Sequence, residues 1–189
     1  YSYSGVILID HALARFPQLR WYPKGQRMSA DQQLGLGAML LASERLRDAK
    51  RELAAAKLRK RELTTEQQAE LEWQLGLLHS AEGMSSTARR HRSACLKLDP
   101  MHVEASFASV RAASLRRNFV AALEQCDALE RDAGKRVEIW RVRELRAGVY
   151  QRAGRLNEAL QELSRAREAA GAVVAPVELA RAAVLRRLG

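Results

Sequence analysis

Residues 69–102 read AELEWQLGLLHSAEGMSSTARRHRSACLKLDPMH, and the spacing within this stretch decides the fold. Apolar residues recur at helical intervals on both sides of Gly83, with Leu75 and Gly76 before it, Ala88 and Leu98 after it, and Asp99 and Pro100 at the close. A glycine between two such stripes turns the chain. A proline ends the second helix because it has no N–H to donate and its ring clashes with the preceding turn. The stretch is a helix-turn-helix hairpin.

Outward from it, the same hairpin recurs. Asn118, Phe119, Ala122 and Leu123 repeat the turn and second helix 34 residues further on, although Ser109 and Val110 stand where Leu-Gly is expected. Tyr150, Gly154, Leu156, Ala159 and Leu160 repeat it again after 37 residues, the loop around Gly134 being about three residues longer. Upstream, Leu36, Gly37, Leu46 and Ala49 set a copy starting at Ala30, 39 residues before the next, with its second helix extended through Lys60. The spacing predicts repeats over about 30–68, 69–102, 103–139 and 140–173. Residues 1–17, ending in His11, Ala12, Leu13 and Pro17, read as the second helix of a half-repeat. Trp21, Tyr22, Pro23 and Gly25 mark an irregular connection, and residues 176–189 read as a terminal helix or closing cap. Residues 1–189 are expected to form one elongated domain, cut from a longer polypeptide.

Composition agrees with an all-α chain. Of 189 residues, 47% are apolar but only 5% aromatic, and glycine and proline total 15, which leaves the strong helix formers dominant and a sheet unexpected. No run of 18 or more apolar residues occurs, so a soluble cytoplasmic or periplasmic fragment is expected, with the compartment undetermined. Cys95 and Cys126 fall on apolar stripes, with neither a metal spacing nor a disulfide framework; they read as buried reduced thiols.

The Leu75-Gly76, Ala88 and Pro100 spacing resembles the tetratricopeptide repeat, a helix-turn-helix unit of roughly 34 residues, and the GRLNEAL stretch at 154–160 is the best single match. Trp73 is shifted by one position from the family's tryptophan, and His79 stands at the family's tyrosine, as a packing substitute. The resemblance implies a right-handed α-solenoid of about four repeats with a half-repeat at each end. In it, Gly37, Gly76 and Ala147 of the first helices and Ala49, Ala88, Ala122 and Ala159 of the second would let paired helices approach closely. It also implies a partner groove lined by the first helices. Carried onto this chain, the groove comprises Leu34, Ala38 and Leu41; Trp73, Leu77 and Ser80; Phe107, Arg111 and Ser114; and Arg141, Glu144, Gly148 and Arg152. Such a groove, apolar at one end and basic at the other, suits an acidic or amphipathic protein segment, with Trp73 and Phe107 as exposed anchors. Trp73 reads equally as a residue buried between helices.

With 32 Lys and Arg against 22 Asp and Glu, the net charge of +10 attracts acidic proteins, nucleic acid, anionic polysaccharide or anionic lipid. Basic clusters at Lys57 to Arg61, at Arg89 to Arg92, at Arg116 and Arg117 and at Arg186 and Arg187 are a solvated face or a ridge for an anionic polymer. His11, His79, His91 and His102 have no helical ligand spacing, and there is no phosphate loop or nucleophile elbow. No catalytic, cofactor or metal site and no small-molecule substrate is expected. The acidic residues pair with basic ones along solvated faces, as Glu44 and Asp48 with Arg45, or Glu158 and Glu162 with Arg165. The expected function is a non-enzymatic protein-interaction scaffold, which the resemblance places with bacterial repeat arrays of envelope assembly, exopolysaccharide export or secretion. Binding of an anionic polymer along a basic edge is the alternative. Self-association through the terminal helices is a third.

Overall fold

The computed structural model describes residues 28–131, 137–171 and 175–188. Their regular elements are all helical: α1 (Ala30–Ala42), α2 (Leu46–Leu58), a 3-10 turn (Lys60–Glu62), α3 (Thr65–Ala81), α4 (Ser85–Leu98), α5 (Val103–Leu115), α6 (Phe119–Arg131), α7 (Ile139–Arg152), α8 (Leu156–Ala170) and α9 (Ala175–Leu188). The expected half-repeat at 1–17, the connection through Gly25 and the loop at Gly134 lie outside the described residues. The helices fall into two compact units, Tyr1–His102 and Val103–Gly189, which divide where the second expected repeat ends and the third begins.

One turn is built four times. Glu44, Gly83, Arg117 and Gly154 have φ of 60°, 76°, 60° and 78° and lie 39, 34 and 37 residues apart. The next amide in each case bonds to the carbonyl five residues back: Arg45 to Leu40 (2.9 Å), Met84 to His79 (2.8 Å), Asn118 to Ala113 (3.0 Å) and Arg155 to Tyr150 (2.9 Å). This Schellman geometry satisfies carbonyls left over at the end of a helix and reverses the chain in two or three residues. In the third hairpin the left-handed residue is Arg117 rather than Asn118, whose side chain instead accepts from the Ala121 amide (3.3 Å) and caps α6. Four residues into each following helix comes a buried alanine, Ala49, Ala88, Ala122 or Ala159.

In the first unit, α1 with α2 and α3 with α4 form hairpins that pack on each other. Their shared core is Leu34, Leu53, Leu71, Leu75 and Leu78 with Ala30, Ala38, Ala56 and Leu63; full burial of each leucine is worth about 1.5–3 kcal/mol. Gly37 sits where a Cβ would come within 2.7 Å of Leu53 Cγ and Cδ2, and Leu53 is fully buried and has nowhere to swing. Gly76 differs from expectation: a Cβ there would meet the Ala88 carbonyl at 3.4 Å, an ordinary contact, so this hairpin does not depend on a glycine. Helix α2 stops at Leu58 rather than Lys60, because the chain turns to bury Leu63, while the Arg59 guanidinium bonds to the Met28 carbonyl (2.6 Å) and Glu62. Helix α3 begins at Thr65, four residues before the expected boundary, on a capping box in which Thr64 Oγ1 accepts from the Gln67 amide (3.3 Å) and Gln67 Oε1 accepts from the Thr64 amide (2.9 Å).

In the second unit, α5 packs on α6, α6 on α7, α7 on α8 and α8 on α9, and α5 also meets α7. Two apolar clusters result. One gathers Phe107, Val110, Cys126, Val142, Leu145 and Val149; the other gathers Ala147, Ala159, Leu163, Ala166, Val177 and Val184. Among the described residues no helix is long and apolar enough to cross a membrane.

Only glycine occupies the left-handed region without steric cost. Replacing Glu44 or Arg117 by glycine is therefore expected to raise stability by about 0.5–1 kcal/mol, and Gly83→Ala or Gly154→Ala to lower it by about 1 kcal/mol, read from urea midpoints. Gly37→Ala forces its methyl into Leu53 and is expected to cost about 1–3 kcal/mol, whereas Gly76→Ala, in the matching position with only ordinary contacts to make, is neutral or stabilising in the same titration.

Candidate binding cavity

Helix α5 places Phe107, Arg111 and Ser114 on one face at intervals of four and three, and α7 does the same with Arg141, Glu144, Leu145, Gly148, Val149 and Arg152. These nine residues line a cavity of about 330 Å³. Its apolar lining is Phe107, Leu145 and Val149, all buried in the core of the unit. The expectation of an exposed Phe107 is corrected: the ring is 7% exposed because α5 turns it toward Val142 and Leu145. Above it lies the Arg141 guanidinium, 5.1 Å from the ring centroid and 3.7 Å from Glu104.

The remaining charges of the cavity are not so engaged. Arg111 and Arg152 are exposed, and among the described residues neither has a carboxylate within 4 Å; Glu144, half-buried, has no ion pair either. Ser114 is 3% exposed, and among the described residues its hydroxyl has no hydrogen-bond partner. A Cβ on Gly148 would meet nothing within 4 Å, so the cavity is open at that point of α7. Three arginines and one glutamate around an apolar patch leave a net positive site able to take an anionic group attached to an apolar body.

Of the residues expected to bind a partner, Phe107, Arg111, Arg141 and Arg152 are thus brought together, with Ser114, Glu144 and Gly148. Leu145 and Val149 were not anticipated, although they follow Arg141 by four and eight residues and so share its helical face. Three further expected contacts, Trp73, Leu77 and the exposed Ser80, are on α3 of the first unit. Trp73 is half-buried with its ring 5.7 Å from that of His102, and Leu77 is 37% exposed. The first hairpin contributes no free apolar face through Leu34 or Ala38. Both belong to the core, Leu34 being fully buried, and Leu41 is packed against the same cluster.

The structure also assembles two polar clusters that no sequence spacing announces. In the first unit, buried Glu72 accepts from Lys60 Nζ (2.9 Å) and pairs with His91 Nδ1 (2.8 Å), tying the 3-10 turn, α3 and α4 together. His91 stacks on His79 (5.1 Å between centroids), and buried His102 meets buried Glu70 at 3.1 Å. Burial opposes ionisation of Glu72, but hydrogen bonds from His91 and Lys60 and their charges outweigh it, holding its carboxyl below the ordinary glutamate value. In the second unit, Arg146 of α7 reaches Asp127 (2.6 Å) and Glu130 (2.5 Å) of α6 and lies 3.6 Å from Glu162 of α8. Glu162 is therefore 5% exposed and part of a helix seam, a correction to its expected place on a solvated face. Beside this cluster, burial pushes the Cys126 thiol up to about 12 against the pull of Arg146. Cys95 and Cys126 are both fully buried thiols.

The basic clusters are divided. Arg59 and Lys60 are held by Glu62 and Glu72, and His91 by Glu72, while Lys57, Arg61, Arg89, Arg90, Arg116, Arg117, Arg186 and Arg187 are exposed.

No protein-family model matches the chain, and no curated protein sequence matches it.

Because Glu72 has its carboxyl value lowered by folding, the stability it contributes is complete above the ordinary glutamate value near 4.5 and is lost as the pH falls through the lower folded value. Thermal melts between pH 6 and pH 3 are expected to show this loss for the native chain. Glu72→Gln is expected to start about 1–2 kcal/mol less stable and to decline less steeply over that window.

Proposed function

We propose that the chain is a non-enzymatic interaction scaffold of tetratricopeptide-type repeats, of the right-handed α-solenoid class, and that the α5/α7 cavity seats an acidic group from a segment of a partner protein. The recurrence of one Schellman turn at intervals of 39, 34 and 37 residues supports the repeat reading, together with the buried alanine that follows each turn. The cavity lies between the first helices of two successive hairpins, the faces that the family uses for its partners. The observation that carries the binding reading is the pair Arg111 and Arg152, exposed and without carboxylate partners beside Leu145, Val149 and the Arg141-capped ring of Phe107. Guanidinium groups stay charged at any physiological pH and bind carboxylates through paired N–H donors, so an acidic side chain on an apolar segment complements both parts of the lining. Exposed arginines at the rim make an open shelf suited to a polypeptide strand or helix.

Fluorescence anisotropy with labelled acidic-aliphatic peptides, and separately with duplex DNA and heparin, tests this reading. Binding of a peptide that is weakened about tenfold or more by Arg111→Ala with Arg152→Ala, with the helix content unchanged, is the expected result. Both side chains are exposed, so the pair of changes leaves the core intact. Peptide binding indifferent to the two changes would sink the reading. Tight polymer binding that is lost on Arg89→Ala with Arg90→Ala and by added salt would replace it with the basic-edge alternative.

A further inference from the structure

An acidic group settled on Arg111 and Arg152 leaves Glu144 unaccounted for. Glu144 stands on α7 one turn after Arg141 and one turn before Gly148, lines the same cavity, and forms no ion pair with any of the three arginines. A carboxylate in that position repels a purely acidic ligand, and it is left available for a cation. Ser114 supplies the other constraint. Its hydroxyl is buried and unpartnered at the far end of α5, and it can donate to an acceptor-rich group shared with the two guanidinium groups. The lining thus holds a cluster of donors, a single acceptor carboxylate, and apolar side chains.

Resting on the reading that the cavity seats an acidic segment, we propose that it recognises a paired-charge motif: an acidic side chain on Arg111, Arg152 and Ser114, and a lysine or arginine of the same segment on Glu144. An aliphatic residue of the motif covers Leu145 and Val149. Gly148 is the residue that keeps room for it, since nothing stands within 4 Å of where its side chain would begin. Glu144 acts as the specificity determinant, rejecting segments that are acidic throughout.

The test compares two sets of blocked, fluorescein-labelled peptides binding to the full chain by anisotropy. One set places a glutamate one to four residues from a lysine with a leucine nearby; the other replaces each lysine by glutamate. The native chain is expected to prefer its best mixed-charge peptide about three- to tenfold over the acidic counterpart. Glu144→Gln is expected to abolish that preference, and Glu144→Lys to reverse it. Gly148→Leu, which fills the cavity, is expected to abolish binding while Gly148→Ala retains the native helix content. If the native chain binds acidic peptides as well as mixed ones, or Glu144→Gln leaves the preference unchanged, the paired-charge inference is overturned. The acidic-segment reading then stands provided that Arg111→Ala with Arg152→Ala still removes binding. If no peptide of either set binds, or the arginine changes have no effect, both are overturned.

Discussion

Ala49, Ala88, Ala122 and Ala159 hold the same place in four hairpins, four residues into the second helix, and each is 8% exposed or less. Side chains this small at buried helix positions allow neighbouring helices to approach closely. A carbon added at Gly37 would lie 2.7 Å from Leu53; one added at Gly76 would make an ordinary contact, 3.4 Å from the Ala88 carbonyl. Helices held this closely leave their apolar stripes partly on the outer faces of the hairpin, so a single hairpin cannot bury its own leucines. Leu34, Leu53, Leu71 and Leu78 reach full burial because two hairpins share one core. Seams between neighbouring helices follow from this, and both the buried charges and the cavity are located at them.

Charge is distributed according to that geometry. Glu70, Glu72 and Glu162 are buried at helix seams and each meets a basic side chain from elsewhere in its unit: His102, Lys60 with His91, and Arg146. A carboxylate withdrawn from water needs such partners, and once paired it ties one helix of the unit to another. With 22 acidic residues set against 32 basic ones, acids committed to the interior leave arginines in excess outside. Arg111 and Arg152 are part of that excess. They are distinguished from other exposed arginines by lining one cavity with Leu145 and Val149, beside a glutamate that has no ion pair among the described residues.

Glu44 and Arg117, the two left-handed residues among those described that are not glycine, make the same point about local and global demands. Neither side chain favours a φ of 60°, yet both turns have the hydrogen bonds found at Gly83 and Gly154. Capping boxes close the starts of α3 and α1: Thr64 with Gln67, and Ser29 with Gln32, whose side chain accepts from the Ser29 amide (2.9 Å); the repeat spacing sets the second boundary at Ala69 and passes over the first of these caps.

The sequence by itself determined the all-helical class, the hairpin period and the identity of most cavity residues. All of these depend on intervals of three, four and about 34 along the chain, which a helix converts directly into faces and turns. Tertiary structure alone decided the burial of Phe107, Leu34 and Ala38, the seam position of Glu162 and the pairing of Glu72 with His91 and Lys60. These depend on which face of a neighbouring helix comes to rest against each residue. A helical period specifies that a face exists, but the rotation and depth of the helix packed against it are set by side-chain volumes many residues away.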